Sequence, residues 1–383
     1  MGKSISILIA QYWPEFNDGR IQRMQGLYQY LHRYDCNVKI LSLGTEEDLS
    51  SQTNIKFFSR ALKAEKQFAK RLQLAEKNKS ILNFVKAILK FAGYPDRYIF
   101  DILLNYRKIK TALKGDSCTI ISSPVFSTLV CSKMAKQKVI IDLRDLFVGN
   151  PTFKRINFLD RLYFYYCLKQ ADEVWVTTRE AKAQLDKFEN VVVVRNGLSE
   201  EKLAVLNSVK QNLINYSSSD EIILCYFGNL GGKRQFENEF TKLASLLGVQ
   251  LKLFGELATE FTDSLGSIYF GRLEWKEMCK EMLNADVLVA CISDDEHAQY
   301  AIPGKIYDYI ATGKPILLLA PRNSASEQYL AEINYLHIRL DPCETISPAK
   351  LLELSNLREL KPVIVAREEE FSRSRVINQL LNY

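Results

Sequence analysis

Short, continuous apolar runs alternate along the chain with longer stretches of helical periodicity. Runs of this length are typical of strands buried on both faces of a parallel sheet, with helices covering each face. In the first half, the predicted strands cover residues 4–10, 37–41, 118–122, 138–142, 173–177 and 191–194. Ile21, Met24, Leu27 and Leu31 repeat at helical spacing, which predicts a helix over 20–34.

The same rhythm restarts after a polar stretch that ends near residue 220. Its predicted strands cover residues 221–227, 250–254, 267–270, 286–291, 315–319 and 334–338. We therefore predict an α/β chain made of four parts. These are a Rossmann-like domain over 1–200 with a helical basic insertion at about 56–114, a linker over 201–220, a second Rossmann-like domain over 221–363, and a helix over 364–383 that packs back on the first domain.

Two facing domains of this kind place a cleft at the carboxyl ends of their strands, where such sheets bind ligands. The pattern therefore favours an enzyme or a nucleotide binder. Hydrophobic residues make up 47% and charged residues 25% of the 383, as in ordinary globular proteins. No apolar run approaches the roughly 18 residues of a membrane span. Eight cysteines without a CxxC pair and only three histidines predict reduced thiols, a cytoplasmic protein and no metal site.

Charge divides unevenly between the two halves. Residues 1–200 carry 32 Lys+Arg against 20 Asp+Glu, a net +12, whereas residues 201–383 carry 19 against 25, a net −6. The excess concentrates in the basic insertion, where Lys63, Lys66, Lys70, Arg71, Lys77 and Lys79 lie near Leu62, Phe68, Leu72 and Leu74. This stretch fits an anionic membrane surface, a polyanionic substrate or a solvated helix face, and it carries no nucleic-acid recognition motif.

A glycine-rich turn follows the predicted strand at 221–227. Gly228, Asn229 and the glycines after them lead into Lys233 and Arg234 before the next helical pattern. Glycines allow backbone amides to approach an anion, and the helix N-terminus and the two cations add positive charge. The turn therefore predicts a phosphate cradle, or else an ordinary strand-to-helix connection. It matches neither the Walker A nor the GxGxxG pattern.

A second motif covers residues 301–315. Pro303 and Gly304 predict the start of a helix and Gly313 its C-terminal cap. On that helix Lys305 and Asp308 share a face. Amides near Gly304 can hold a diphosphate and Asp308 can accept hydrogen bonds from ribose hydroxyls, although the two side chains can equally form a surface ion pair.

Charged residues also cluster in the first domain. Asp142, Arg144 and Asp145 end the predicted strand at 138–142, where they are expected to face the cleft or to form a structural ion pair. Gly19 and Arg20 lie in the turn after the first strand, where glycine permits close approach and arginine reaches anions.

Taken in order, these segments resemble the retaining glycosyltransferases of the GT-B fold, in the large family 4 group. The resemblance covers nearly the whole chain. It is carried by ILIAQYWPEFNDGRIQRMQGLYQYL, IIDLRDLF, ADEVWVTTREAKAQL, VVVVRNGL, YFGNLGGKRQ and, most specifically, IPGKIYDYIATGKPIL. The last segment is similar to the family's donor-site signature, Pro-x-Lys-x-x-Glu-Tyr-x-x-x-Gly-Lys-Pro.

The resemblance implies roles for individual residues. Gly228, Lys233 and Arg234 would hold the donor diphosphate, with Asn229 at the place of a family arginine. Asp308 stands where the family has a ribose-binding glutamate, and Tyr300 stands where many members have another glutamate. Listed by role, the implied set comprises Lys233, Arg234, Asp145 and Arg144 as catalytic groups, Gly228, Asn229, Gly304, Lys305 and Asp308 at the donor, and Gly19, Arg20 and Asp142 on the acceptor side.

The implied activity is transfer of a sugar, with retention, from a nucleoside-diphosphate sugar to a glycan or lipid-linked acceptor. The expected setting is capsule, O-antigen or exopolysaccharide assembly, with the protein attached peripherally to the inner face of the cell membrane. No cofactor is expected, and no metal, since no carboxylate pair demands one. A strong side-chain base is not required either, because the leaving phosphate can itself take the acceptor proton. Two alternatives stay open, a non-hydrolysing nucleotide-sugar epimerase and a non-catalytic nucleotide-sugar binding subunit.

Overall fold

A computed structural model describes the chain over residues 4–9, 19–33, 36–42, 55–57, 95–96, 98–123, 125–146, 157–212, 221–231, 236–342 and 353. The chain forms two compact units, which divide between Val194 and Arg195. Within the described ranges no helix is both long enough and apolar enough to cross a membrane.

Unit 1 contains a parallel sheet of seven strands in its described part. The strands are β1 Ser4–Ile9, β2 Asn37–Ser42, β3 Ile55–Phe57, β4 Cys118–Ser123, β5 Lys138–Leu143, β6 Glu173–Val176 and β7 Val191–Val193. The helices are α1 Gly19–Arg33, α2 Ile99–Leu104, α3 Tyr106–Ala112, α4 Asn157–Leu168 and α5 Arg179–Ala183, with a 3-10 helix over Phe126–Lys133. The strand order β3-β2-β1-β4-β5-β6-β7 reverses direction between β1 and β4, which is the position where doubly wound sheets bind ligands.

The described part of unit 2 contains a second parallel sheet, of five strands in the order β12-β11-β10-β8-β9. The strands are β8 Ile222–Phe227, β9 Val249–Phe254, β10 Val287–Cys291, β11 Ile316–Leu319 and β12 His337–Leu340. The helices are α6 Glu200–Asn212, α7 Glu237–Ala244, α8 Thr262–Leu265, α9 Trp275–Asn284, α10 Gly304–Thr312 and α11 Ala325–Glu332, with 3-10 helices over Thr259–Phe261, Gly266–Ile268 and Glu296–Gln299.

Strand β8 shows why the apolar runs are continuous. Cys225 and Phe227 belong to the core on one face of the second sheet, and Leu224 and Tyr226 belong to the core on the other face. Both faces are covered, so neither set of alternating positions tolerates polar side chains. β8 also lies between β9 and β10, which makes its carboxyl end the switch point of this sheet. The predicted α/β class with two Rossmann-like domains is confirmed.

The structure corrects two predicted strands and adds one that was not predicted. Residues 267–270 do not form a strand, because Gly266–Ile268 form a 3-10 helix and only an isolated bridge joins Tyr269 to Leu253. The last strand begins later than predicted, since Asn334 adopts a left-handed turn with φ 52° before it. The short β3 was not predicted, because three residues within a polar stretch give too weak a periodic signal.

Residues 201–212, which the sequence assigned to a linker, lie in α6. Leu206 and Val209 on this helix are buried, and α6 packs against α9 of unit 2. The segment is mostly polar, which is typical of a linker, but its few apolar residues recur at helical spacing and form the buried side of a helix. The rest of that linker, the lysine-rich part of the basic insertion and the helix predicted over 364–383 lie outside the described residues.

Candidate functional site

The glycine turn after β8 lies directly against the turn after β9. The amide of Gly228 donates to Phe254 O at 2.8 Å, and the amide of Leu230 donates to Glu256 O at 2.8 Å. A Cβ atom on Gly255 would lie 2.2 Å from the carbonyl oxygen of Gly228, so this approach requires glycine. Gly228 has a φ of 154°, a backbone conformation that also favours glycine.

Asn229 joins the same two turns through its side chain. Its Nδ2 donates to Glu256 Oε2 at 3.1 Å, and its Oδ1 accepts from the Glu256 amide at 3.2 Å. Glu256 also pairs with Arg272 at 3.3 Å. Asn229 therefore fixes the shape of the glycine turn. The two cations predicted beside it, Lys233 and Arg234, lie outside the described residues.

Helix α10 brings a described cation to this turn. Its start after Pro303 and its end at Gly313, which has a φ of 78°, confirm the predicted caps. The Lys305 ammonium lies 4.0 Å from the centre of the Tyr226 ring, and only 3.0 Å from the position that a Cβ would take at Gly228. The structure thus places Gly304, Lys305 and Gly228 at the carboxyl end of β8.

Asp308 lies one turn further along α10. Its Oδ1 lies 3.7 Å from Lys202 Nζ of α6, and both side chains remain about one-fifth exposed. Lys202 Nζ in turn lies 4.0 Å from the centre of the Trp275 ring. The carboxylate is therefore partly accessible and has a cation close by.

Tyr309 is a residue of this site that the sequence reasoning missed. Its hydroxyl accepts from the Phe227 amide at 3.1 Å and donates to Val289 O at 3.1 Å. Burial holds the pKa of Tyr309 well above its ordinary value, so the hydroxyl keeps its proton. These bonds hold α10 to the end of β8 and to the middle of β10. A tyrosine at an apolar helix position gave no signal of this role.

Tyr300 is also buried. Its ring packs edge-on against His297 with the ring centres 5.2 Å apart. An aromatic side chain in this position cannot ionise near neutral pH as a glutamate does.

In unit 1 the predicted acceptor-side carboxylate is fully buried. Arg23 of α1 donates to Asp142 from Nε, at 3.1 Å to each carboxylate oxygen, and from Nη2 to Oδ1 at 2.7 Å. Asp142 has no exposed surface and Arg23 only 4%. This paired geometry makes Asp142 a structural anchor, and it identifies Arg23 as the residue that fixes α1 to the end of β5.

Other polar groups surround that ion pair. Arg144 Nε donates to Ser123 O at 2.7 Å, and Asp145 follows it with a half-buried side chain. The hydroxyls of Ser122 and Ser123 are buried with no hydrogen-bond partner among the described residues. Gly19 and Arg20 are the first residues of α1. The carboxyl ends of β4 and β5 are therefore rich in polar groups.

The described cysteines and carboxylates offer little other chemistry. Burial raises the pKa of the Cys167, Cys225 and Cys279 thiols to about 12, so none is a thiolate at neutral pH. The described ranges contain no group of three or more His, Cys, Asp or Glu side chains placed to hold a metal ion.

Neither the protein-family models nor the curated proteins include a match to this chain. Solved structures do match it over nearly its full length. A sucrose-phosphate synthase from Thermosynechococcus elongatus superposes with a TM-score of 0.68 at 13% identity, covering 99% of this chain and 98% of that one. Anabaena HepE in complex with UDP gives 0.62 at 12% identity, with 99% and 98% covered.

A UDP-GlcNAc 2-epimerase from Neisseria meningitidis bound to UDP-GlcNAc also matches. Its TM-score is 0.56 at 12% identity, and all of both chains is covered. The superpositions establish a shared fold, which is GT-B, and at identities this low they establish the fold alone.

Proposed function

We propose that the protein is a glycosyltransferase that moves a sugar from a nucleoside-diphosphate sugar to a glycan or lipid-linked acceptor. The observation that carries the proposal is the Lys305 ammonium beside Gly228, at the switch point of the second sheet. The likeness to solved proteins that bind UDP or UDP-glucose supports a nucleotide-sugar donor. Assembly of a cell-surface polysaccharide and retention of configuration are further parts of this proposal.

The chemistry follows from where charge develops. As the glycosidic bond breaks, the sugar carbon gains oxocarbenium character and the leaving diphosphate gains negative charge. Fixed cations and helix-terminal amides stabilise that charge without reorganising. Lys305 and the first amides of α10 would serve the diphosphate, together with Lys233 and Arg234, and Asp308 would accept hydrogen bonds from the ribose.

The acceptor hydroxyl needs a proton acceptor. In a retaining mechanism a leaving phosphate oxygen can take this proton, so a strong side-chain base is not required. We assign Arg144 and Asp145, with Gly19 and Arg20, to acceptor binding and orientation in unit 1. Asp142 contributes indirectly by fixing Arg23, and with it α1, to the end of β5.

A non-hydrolysing epimerase is the second candidate, because structures of UDP-GlcNAc 2-epimerases share the fold. The two activities separate in one experiment, in which the protein is incubated with a nucleotide sugar alone and the sugar is followed by NMR. An epimer that forms without any acceptor would favour the epimerase. Nucleoside diphosphate release that depends on an added acceptor would support the transferase.

Asp308→Ala is expected to weaken donor binding about ten- to a hundredfold, because each hydrogen bond to a charged group contributes about 1.5–3 kcal/mol. Titration calorimetry with the nucleotide sugar measures this change. Lys202→Met is the matched control, since it removes the same ion pair but keeps the carboxylate. If both variants lost the same donor affinity, Asp308 would act only through its ion pair with Lys202.

A further inference from the structure

Two helices of unit 1 flank the same 3-10 helix, Phe126–Lys133. The Asp96 carboxylate, just before α2, accepts from the Ser127 amide at 3.0 Å and from its hydroxyl at 2.6 Å. The Tyr163 hydroxyl of α4 donates to Phe126 O at 2.8 Å. Both α2 and α4 also pack against this 3-10 helix, so the two helices lie in the same region of unit 1.

The outward sides of these two helices are apolar. Leu103 and Leu104 of α2 are 61% and 71% exposed, and Phe158 and Leu162 of α4 are 74% and 59% exposed. With Phe100 and Tyr166 they form what we term the apolar face. Phe158, Leu162 and Tyr166 recur every four residues, so they form one stripe along α4.

This concentration is unusual for a soluble surface. Nine large hydrophobic side chains are exposed in the described part of the chain, and seven of them lie on α2, α3 and α4. Single exposed apolar residues are ordinary, but a contiguous group marks an interaction site. The inward sides of the same helices already bury Ile102, Phe164 and Leu168, so the hydrophobic core does not require the outward residues.

Charge identifies the partner. The exposed charged residues of α2, α3, the 3-10 helix and α4, with the residue after it, are all cations: Arg107, Lys108, Lys110, Lys133, Arg161 and Lys169. The acidic residues of these elements, Asp101 and Asp160, are buried. The Lys133 ammonium lies 4.1 Å from the centre of the Tyr166 ring, so one cation borders the apolar face directly.

We propose that the apolar face and the cations around it dock unit 1 on an anionic lipid bilayer. Leucine and phenylalanine side chains would enter the interface, tyrosine would lie at the headgroup level, and long basic side chains would reach the lipid phosphates. A second copy of this chain is a poorer partner, because it would bring like charges together. The proposal does not depend on the sugar-transfer activity, but it suits a lipid-linked acceptor.

Co-sedimentation of the full chain with vesicles tests this surface. Wild type is expected to bind phosphatidylglycerol–phosphatidylcholine vesicles at low salt, to leave them as salt rises, and to bind pure phosphatidylcholine far less. L103E/L104E and F158E/L162E should each weaken binding at least about tenfold, because apolar contact is lost and negative charge is added. R107E/K108E should weaken it at least about fivefold for each lost cation.

Matched controls come from unit 2. Leu247 is fully exposed and Phe270 is 53% exposed, so L247E/F270E adds the same charges at exposed apolar sites elsewhere. Lys242 and Lys276 are exposed, so K242E/K276E controls for charge reversal. These variants should bind vesicles as wild type does, and melting temperatures should show that all variants remain folded.

Three results would overturn the proposal. One is vesicle binding by L103E/L104E and F158E/L162E that equals that of wild type. Another is equal binding of wild type to neutral and anionic vesicles. The third is an oligomer of wild type, detected without lipid by ultracentrifugation, that L103E/L104E and F158E/L162E dissociate although these variants still bind vesicles. None of these results depends on nucleotide-sugar binding, so failure here and failure of the proposed transferase are distinguishable.

Discussion

Asp142→Ala is expected to lower the free energy of unfolding of unit 1 by about 3–5 kcal/mol. The substitution removes the carboxylate that receives three hydrogen bonds from Arg23, and both residues are almost completely buried. The guanidinium would then lose this buried carboxylate, and removing one partner of a buried ion pair costs more than the pair itself contributes. Chemical denaturation followed by circular dichroism measures the change.

Two further variants test whether the loss of stability comes from breaking the Arg23–Asp142 ion pair. Asp145→Ala removes a half-buried carboxylate from the same end of β5 and should change the unfolding free energy by no more than about 1 kcal/mol. The double variant R23M/D142L removes both charges, so it should recover most of the stability lost in Asp142→Ala. A double variant as unstable as the single one would show that Asp142 matters through other contacts.

Lys305→Met is expected to lower the rate of sugar transfer at saturating donor by about a hundred- to a thousandfold. Loss of one preorganised group that faces developing charge commonly costs about 3–4 kcal/mol of barrier. The effect on stability should be small, because the described contact of the ammonium with the Tyr226 ring is a cation–π interaction of about 1–2 kcal/mol. Initial rates of nucleoside diphosphate release and the melting temperature test the two parts.

Lys276→Met is the matched control, because this lysine is exposed on α9 of the same unit. Lys305→Arg keeps the positive charge but changes its shape, so it should recover part of the rate. If Lys305→Met transfers sugar as fast as wild type, the phosphate contact belongs to Lys233 and Arg234 instead.

The sequence predicted the sheets well because burial on both faces produces runs that periodicity detects. β8 and β10 lie within one residue of their predicted bounds, and the caps of α10 were predicted from Pro303, Gly304 and Gly313. The predicted strand at 267–270 was wrong, because these residues remain at least partly exposed and a single isolated bridge joins them to the sheet. The apolar pattern along the chain does not distinguish a buried strand from a partly exposed segment with a single bridge.

The candidate site was predicted only in part. Spacing along α10 indicated Lys305 and Asp308, but it did not indicate that Asp308 meets Lys202, a residue 106 positions earlier. The Arg23–Asp142 pair joins residues 119 positions apart, so it depends on the fold and not on a motif. The apolar face was equally hidden, since exposed leucines and phenylalanines read as core residues until the helices are placed.

The central claim is that unit 2 binds a nucleoside-diphosphate sugar at the glycine turn and α10. A thermal-shift panel of nucleotide sugars, nucleoside diphosphates and free sugars tests it most directly, because a ligand at 100 times its Kd stabilises the folded state by about 2.7 kcal/mol. At least one nucleoside-diphosphate sugar and its diphosphate are expected to raise the melting temperature of wild type, and to raise that of Lys305→Met less. A panel in which no nucleotide changes the melting temperature, or in which both proteins respond equally, would contradict it.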